Sequence, residues 1–239
     1  MKVITGDKFA SFATKTDNIC YSGFVSVPEK FHNAPLILGL GLSREELCTI
    51  HNIAKKNNIK LFFDRMPAGC SVTHKQKDEN CLISQPIQIE DNIYESQLIL
   101  DDEDELLLDH ITGLHIQGMV LIEACRQMFI AVAVDYFSHN FFANERSGSI
   151  SRMDCQFKSY VFPLPALIRY KRTSITEDKE RESVSFNATI EIIQSNRVVF
   201  SMDMQHAYYK REKMTSIEQH KALSACKRLD ESIYYEQLR

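Results

Sequence analysis

One continuous apolar segment, GMVLIEACRQMFIAVAVDYF at residues 118–137, constrains the fold of this chain more than any other feature. The segment is about long enough to cross a membrane, but it contains Glu123, Arg126, Gln127 and Asp135, and each charge would be costly in lipid. A helix that is apolar on nearly every side must otherwise be enclosed by protein. The sequence therefore predicts one long helix buried in a soluble core, without membrane association.

Patterns typical of β-strands lie on both sides of this segment. Residues 81–100 alternate between apolar and polar side chains. Three further strand regions follow the helix, at residues 150–161, 166–175 and 182–209. The last region is long enough for a hairpin that turns at Ser195 and Asn196. Strands, one helix and an antiparallel meander together predict an α+β fold in which a sheet curls round a single helix.

The first part of the chain predicts a separate α/β unit. Residues 34–42 and 59–65 have the apolar character of short buried strands, and residues 43–58 have the pattern of a helix. The GLGLS sequence between the first strand and the helix lacks the complete pattern of a phosphate-binding loop, so it predicts a tight turn. Residues 1–35 otherwise predict irregular structure, with a possible strand at residues 21–27.

Two capping boxes predict where helices begin. Ser43 and Glu46 have this spacing at the start of the first helix, and Thr215 and Glu218 have it at the start of an amphipathic helix over residues 215–238. We therefore divide the chain into an N-terminal α/β extension at residues 1–68, a central domain at residues 69–212 and a C-terminal helix at residues 213–239.

Composition excludes several classes of protein. The net charge of −4 lacks the basic excess of a nucleic-acid-binding surface. The seven cysteines are scattered and never spaced C-x-x-C, which predicts free thiols in a reducing compartment rather than a disulfide scaffold or a structural zinc site. The first residues lack the apolar core of a signal peptide. We therefore expect a cytoplasmic protein that binds no metal and no nucleic acid.

The sequence DHITGLHIQGMVLIEA at residues 109–124 resembles the hotdog dehydratase pattern. In that pattern a His-x-x-Gly turn leads to a glycine at the start of the central helix, and a Glu-Ala pair follows. Together with HKQKDENCLIS at residues 74–84 and FKSYVFPLP at residues 157–165, it is more closely similar to the A-factor biosynthesis hotdog domain. This resemblance implies a hotdog fold, in which an antiparallel sheet wraps round a long central helix.

The same resemblance implies an activity. The family is thought to join a β-ketoacyl chain, carried on acyl carrier protein, to the hydroxyl of dihydroxyacetone phosphate during synthesis of γ-butyrolactone signal precursors. Family members commonly carry two hotdog repeats, whereas this chain shows one, which predicts a homodimer. The spacing from the His-x-x-Gly turn to the glutamate is one residue shorter than in dehydratases, which argues against dehydratase chemistry.

Catalytic candidates surround the start of the helix. The first-turn N–H groups at Gly118 lack partners and can polarise a thioester carbonyl. His110 and His115 precede that turn and could transfer protons near neutral pH, and Asp109 could orient one of them. Glu123 would have a raised pKa unless it were paired, as a general acid or base requires. Each of these side chains could instead be structural, and Glu123 with Arg126 could be a buried ion pair.

Other residues are expected to contact the substrate. They are Gly113, Gly118, Met119, Arg126, Gln127, His74 and Phe157. Arg126 and Gln127 follow Glu123 by three and four residues, so they could pair with its carboxylate. Cys125 is interpreted as a buried, inert thiol. Lys158, Arg169 and Lys171 could meet a phosphate group, although such residues on sheet edges are usually only solvated.

The sequence therefore favours an acyltransferase of secondary-metabolite or signal biosynthesis. Its expected partners are acyl carrier protein or acyl-CoA and a small hydroxylated acceptor such as dihydroxyacetone phosphate. No cofactor is expected beyond the phosphopantetheine that the substrate carries. One alternative is a hotdog thioesterase or 3-hydroxyacyl dehydratase, and another is a non-catalytic acyl-binding protein.

Overall fold

The computed structural model describes residues 1–108, 113–137 and 146–237, and within these ranges the chain forms two sheets. The strands are β1 (Lys2–Thr5), β2 (Ile19–Cys20), β3 (Pro35–Leu38), β4 (Lys60–Phe62), β5 (Ile87–Glu90), β6 (Ile93–Gln97), β7 (Arg146–Phe157), β8 (Leu167–Asp178), β9 (Ser183–Gln194) and β10 (Arg197–Lys210). The helices are α1 (Ala10–Lys15), α2 (Tyr21–Ser26), α3 (Arg44–Lys56), α4 (Cys70–Thr73), α5 (Glu105–Leu108), α6 (Gly118–Val132) and α7 (Arg211–Gln237).

The larger sheet is antiparallel and encloses α6. Its strand order is β5-β6-β8-β9-β10-β7. Buried and half-buried residues alternate along β9, and α6 buries Val120, Ala124 and Met128 in the same apolar core as β8, β9 and β10. The predicted α+β hotdog fold is therefore confirmed. The apolar segment continues beyond the α-helix as a π-helical turn, Ala133–Phe137.

The connection between β9 and β10 confirms the predicted hairpin. β9 ends at Gln194 and β10 begins at Arg197, which leaves Ser195 and Asn196 as the two-residue loop. Both residues have positive φ, 51° and 60°, as a type I′ turn requires. The turn fixes the register of β9 against β10.

The smaller sheet is parallel, with strand order β2-β1-β3-β4. The prediction of irregular structure before residue 34 is therefore wrong, because β1, α1, β2 and α2 lie there. Residues 21–27 were expected as a strand, but Tyr21–Ser26 is a helix that buries only Phe24. Strands of four and two residues are too short for periodicity to reveal them.

The segments next to the two sheets pack directly on each other. Phe12 stacks on Phe162 with ring centroids 5.8 Å apart, and the N–H of Leu40 donates to the carbonyl of Pro163 at 3.3 Å. Between β3 and α3 the chain makes the predicted tight turn. Gly41 has φ +79° there, and a Cβ would lie 2.6 Å from the Phe9 ring, so only glycine fits.

The C-terminal helix begins earlier than predicted. α7 starts at Arg211, directly after β10, so Thr215 lies inside the helix and the predicted capping box at Thr215 is wrong. The chain passes directly from β10 into a helical turn at Arg211. An N-cap at Thr215, four residues later, is therefore not needed. Among the residues that the structure describes, no helix combines the length and apolar character needed to cross a membrane.

Ser43 provides a test of local stabilisation. Its hydroxyl accepts from the N–H of Glu46 at 3.2 Å, and the Ser43 N–H donates to the Glu46 carboxylate at 3.0 Å, so this capping box is confirmed. We expect Ser43→Ala to lower the free energy of unfolding by about 1 kcal/mol in urea denaturation. Thr215→Ala is the matched control and should cost nothing, because alanine is favoured inside a helix. Equal losses would contradict this assignment.

Candidate active site

The N-terminus of α6 opens onto a cleft of about 600 Å³. Gln117 occupies the N-cap position, but no side-chain cap is formed there, and its amide instead donates to the carbonyl of Leu106. The Gln117 side chain therefore leaves the first-turn N–H groups of α6 uncapped, and Gly118 in that turn lines the cleft. The positive end of the helix dipole adds to their attraction for a negatively charged oxygen. The lining residues are His115, Ile116, Gly118, Leu121, Phe157, Lys158, Ser159, Tyr160 and Val161.

Gly118 is required by close packing. The helix begins at this residue, as predicted, and a Cβ placed on it would lie 2.7 Å from Cε1 and 3.0 Å from Cζ of Phe157. Phe157 ends β7 and stays 57% exposed, while its ring also contacts Phe200. The predicted binding residues Gly118 and Phe157 thus touch each other at the cleft, and glycine keeps the ring close to the helix backbone.

His115 lines the same cleft. Its ring centroid lies 4.9 Å from that of Tyr160, and the next residue is anchored because the Ile116 N–H donates to the Val161 carbonyl at 2.7 Å. His115 and Gly118 therefore share one cleft wall. The predicted residues Asp109 and His110 lie outside the described residues, so His115 is the described histidine of this group.

Glu123 is held by donors from three side chains. Its carboxylate accepts from Arg126 Nε at 2.6 Å and Nη2 at 2.8 Å, from Lys75 Nζ at 2.6 Å and from Gln127 Nε2 at 3.2 Å. Pairing with Arg126 and Gln127 was expected from the helical spacing and is confirmed. Lys75 was not expected. Its neighbour His74 had been assigned to substrate binding, but His74 is exposed and ends α4 with a left-handed backbone, φ 58°.

These contacts decide the charge of Glu123. Burial raises the pKa of its carboxyl, but the hydrogen bonds from Arg126 and Lys75 outweigh burial and lower the pKa to about 2. Glu123 is therefore ionised throughout the physiological range, and two cations stabilise its charge. A carboxylate in this state is a weak base. The arrangement matches the ion-pair alternative, while the catalytic role of Glu123 stays a prediction.

Gln127 connects α6 to the chain that precedes it. Its side chain is fully buried, its Nε2 donates to the Asn80 carbonyl at 2.8 Å, and its Oε1 accepts from the Leu82 N–H at 2.8 Å. Both polar ends of the amide are thus satisfied by backbone. This residue was assigned to substrate binding, but the structure shows it binding residues 80–82.

The predicted site residues are divided between the cleft, which His115, Gly118 and Phe157 line, and the ion-pair region around Glu123. Glu123 follows Gly118 by five residues, which is about 140° round a helix, and it is not among the described residues that line the cleft. Met119 is 57% exposed in the first turn, and a Cβ on Gly113 would only touch Ser11. The cleft also contains Lys158 and Tyr160. Lys158 had been noted only as a weak candidate, and Tyr160 gave no sequence signal.

Solved structures similar to this chain share little sequence with it. No curated protein sequence matches the chain. Among solved structures, a candidate thioesterase from Shewanella oneidensis is similar, with 7% identity over 53% of this chain and 83% of that one and a TM-score of 0.40. A conserved protein from Pseudomonas aeruginosa has 14% identity over 52% and 86%, with a TM-score of 0.37. A thioesterase from Haemophilus influenzae has 9% identity over 54% and 79%, with a TM-score of 0.37.

The sheet, the enclosed helix and the cleft at its N-terminus define a hotdog domain. The family model of the A-factor biosynthesis hotdog domain matches residues 68–209, which is more than half of the chain. The chain therefore belongs to the A-factor biosynthesis hotdog domain family. This membership supports a hotdog enzyme that acts on acyl thioesters.

Gly118→Ala tests the packing at the cleft. The new methyl group would collide with the Phe157 ring, and because that ring is exposed it can move without unfolding the domain. We expect the variant to fold and to bind an acyl thioester several-fold more weakly, as measured by isothermal titration calorimetry. The double variant Gly118→Ala/Phe157→Leu removes the ring edge and should recover part of the affinity. Unchanged affinity in the single variant would refute this role.

Glu123→Gln tests the ion pair through pH. The pKa of Glu123 is about 2 in the folded chain and 4.5 ordinarily, so the folded state binds fewer protons between these values. The stabilisation is complete above about pH 4.5 and is lost as the pH falls towards 2. We expect Glu123→Gln to lower the free energy of unfolding at pH 7, by less than the roughly 3–5 kcal/mol of a fully buried pair.

The difference between the wild type and Glu123→Gln should shrink at pH 3 in the same denaturation experiment. Glu177→Gln is a suitable control, because Glu177 is exposed on β8. An equal difference at pH 7 and pH 3 would show that the Glu123 charge does not stabilise the fold.

Proposed function

We propose that this chain is an acyltransferase that takes a β-ketoacyl group from a carrier-protein thioester. The N-terminus of α6 carries the proposal, because it opens onto the cleft and the Gln117 side chain does not cap it. A carbonyl oxygen that binds there gains negative charge when a nucleophile attacks the thioester. Helix N–H groups stabilise that charge better than the neutral ground state, which accelerates acyl transfer. The family membership supports the same class of substrate.

The cleft wall suits an acyl chain attached to phosphopantetheine. Ile116, Leu121, Phe157 and Val161 supply its apolar part. Gly118 has no side chain of its own between the helix backbone and the cleft, so a thioester beside the exposed Phe157 ring could approach the first turn closely. The phosphopantetheine belongs to the substrate, and the proposal includes no further cofactor.

His115 is the proposed base. It would accept the proton of the acceptor hydroxyl as the oxygen attacks the thioester carbon. The carbon–sulfur bond would then break, and the proton would pass to the leaving thiolate. Lys158 in the same cleft offers a cation for the phosphate of an acceptor such as dihydroxyacetone phosphate. The product would be an ester of the kind from which γ-butyrolactone signals are made.

In this proposal Glu123 positions Lys75 and the chain around it against α6 and takes no part in proton transfer. Its carboxylate binds Lys75 and Arg126 and lies away from the cleft wall. A homodimer and a cytoplasmic location also stay predictions. Large apolar side chains are exposed near the start of α6 and support the homodimer, because a second copy could cover them. They are Leu106, Leu108, Leu114, Met119, Phe157 and Tyr160.

The function is tested by incubating the purified chain with a β-ketoacyl carrier-protein thioester, with and without dihydroxyacetone phosphate, and following products by mass spectrometry. We expect an ester only when the acceptor is present. Free acid irrespective of acceptor would establish a thioesterase instead. Unconsumed thioester that nevertheless binds the folded chain would favour the acyl-binding alternative.

His115→Ala identifies the base in the same assay. We expect turnover to fall by about 10²–10⁴, the usual contribution of a positioned general base, with thioester affinity retained. His220→Ala is the matched control, because His220 is exposed on α7 far along the chain. Full turnover in His115→Ala would remove this residue from the mechanism and leave His110 as the remaining histidine candidate.

A further inference from the structure

Three potential metal ligands meet where the chain doubles back between the start of α4 and β5. The Cys70 Sγ lies 3.7 Å from the Cys81 Sγ and 3.1 Å from Asp78 Oδ1. All three ligand atoms lie within 4.8 Å of one another. The residues are eleven positions apart at most, and the 3-10 turn Asp78–Asn80 brings the second half of the loop back to the first.

The sulfur–sulfur separation matches an edge of a zinc coordination tetrahedron, and the three ligand atoms are near enough to close around one ion. Zn–S bonds of about 2.3 Å at the tetrahedral angle place two sulfurs about 3.8 Å apart, and a Zn–O bond of about 2.0 Å places sulfur and oxygen about 3.5 Å apart. The observed sulfur–sulfur distance of 3.7 Å is close to the first value, and the observed sulfur–oxygen distance of 3.1 Å is shorter than the second. A disulfide would need the two sulfurs at about 2.05 Å. Thiolate and carboxylate are both common ligands of zinc.

The surroundings support such a site. The Thr73 hydroxyl lies 3.2 Å from the Cys81 Sγ and can donate to a thiolate, as outer-shell groups of metal sites do. Cys81 is buried and Cys70 is half-buried, which limits competition by water. The second Asp78 oxygen faces Arg44 at 3.6 Å, which leaves Oδ1 turned towards the sulfurs. A cleft of about 550 Å³, lined in part by Asp78 and Cys81, leaves room for a fourth ligand.

We propose that Cys70, Asp78 and Cys81 bind a zinc ion that crosslinks the two ends of the loop 70–81, with a fourth position open to this cleft. The loop carries Lys75, whose ammonium pairs with Glu123 at 2.6 Å. A metal at the base of the loop would therefore hold Lys75 against α6. The proposal does not depend on the acyltransferase function.

The protons of the thiols make binding dependent on pH. Zinc binds cysteine as a thiolate, so a metal at this site must displace the thiol protons. Proton release accompanies binding, and the apparent affinity for the metal is expected to fall as the pH is lowered.

The test titrates the full, reduced and chelator-treated chain with Co²⁺, which is a coloured substitute for Zn²⁺. We expect one equivalent to produce cobalt–thiolate charge-transfer absorption and the strong visible bands of tetrahedral coordination, and Zn²⁺ to abolish both. Cys70→Ser should show weaker charge-transfer absorption, because only the Cys81 thiolate remains, or should bind Co²⁺ at least about tenfold more weakly. Cys48→Ser is the matched control, since Cys48 is an exposed cysteine on α3, and should bind like the wild type.

Asp78→Asn gives a second variant, because Asp78 is exposed and its replacement should leave the fold intact by circular dichroism. We expect it to bind Co²⁺ at least about tenfold more weakly. The absence of cobalt–thiolate absorption in the reduced wild type would overturn the proposal. Wild-type absorption in Cys70→Ser would do the same, as would a Cys70–Cys81 disulfide in a chain that binds no metal after reduction.

Discussion

Burial of α6 forces its polar side chains to find partners, and the rest of the structure follows from how they do so. An unpaired amide or carboxylate in an apolar core would cost several kcal/mol. Gln127 meets this requirement through the backbone of Asn80 and Leu82, and Glu123 meets it through Lys75 and Arg126. The chain between α4 and β5 must therefore lie along α6. We call this packing of α6 against the chain between α4 and β5 the junction. The glutamate and arginine inside the apolar run form the α6 side of it.

The two sides of α6 differ in their electrostatics because of this junction. One side holds charge that is already neutralised, since the pKa of Glu123 is about 2 and its partners are cations. The other side begins at Gly118, where the Gln117 side chain leaves the first turn uncapped and the turn opens onto a cleft. Charge that develops during a reaction is stabilised by donors that are not already occupied. Chemistry at the N-terminus of the helix is therefore compatible with a structural role for the glutamate.

Sequence reasoning succeeded where a local pattern has a single structural solution. The apolar run could only be an enclosed helix, Ser195-Asn196 matched a two-residue turn, and Ser43 with Glu46 formed the expected cap. It failed where neighbouring or distant parts of the chain determine whether a local pattern forms the expected structure. The same capping spacing at Thr215 is unused because β10 leads directly into α7. The short strands β1 and β2 depend on pairing in the sheet, which no local window contains.

The candidate sites show the same limit. Gly118 and Phe157 are 39 positions apart in the sequence, and only the return of β7 beside α6 brings the ring against the glycine. Cys70, Asp78 and Cys81 lack the C-x-x-C spacing, which led to the expectation of no metal, yet a folded loop brings their ligand atoms together. That loop is folded against α6 because Gln127 holds its end and Glu123 holds Lys75. Linear spacing is therefore a poor guide to ligand geometry wherever a buried helix dictates the path of a neighbouring loop.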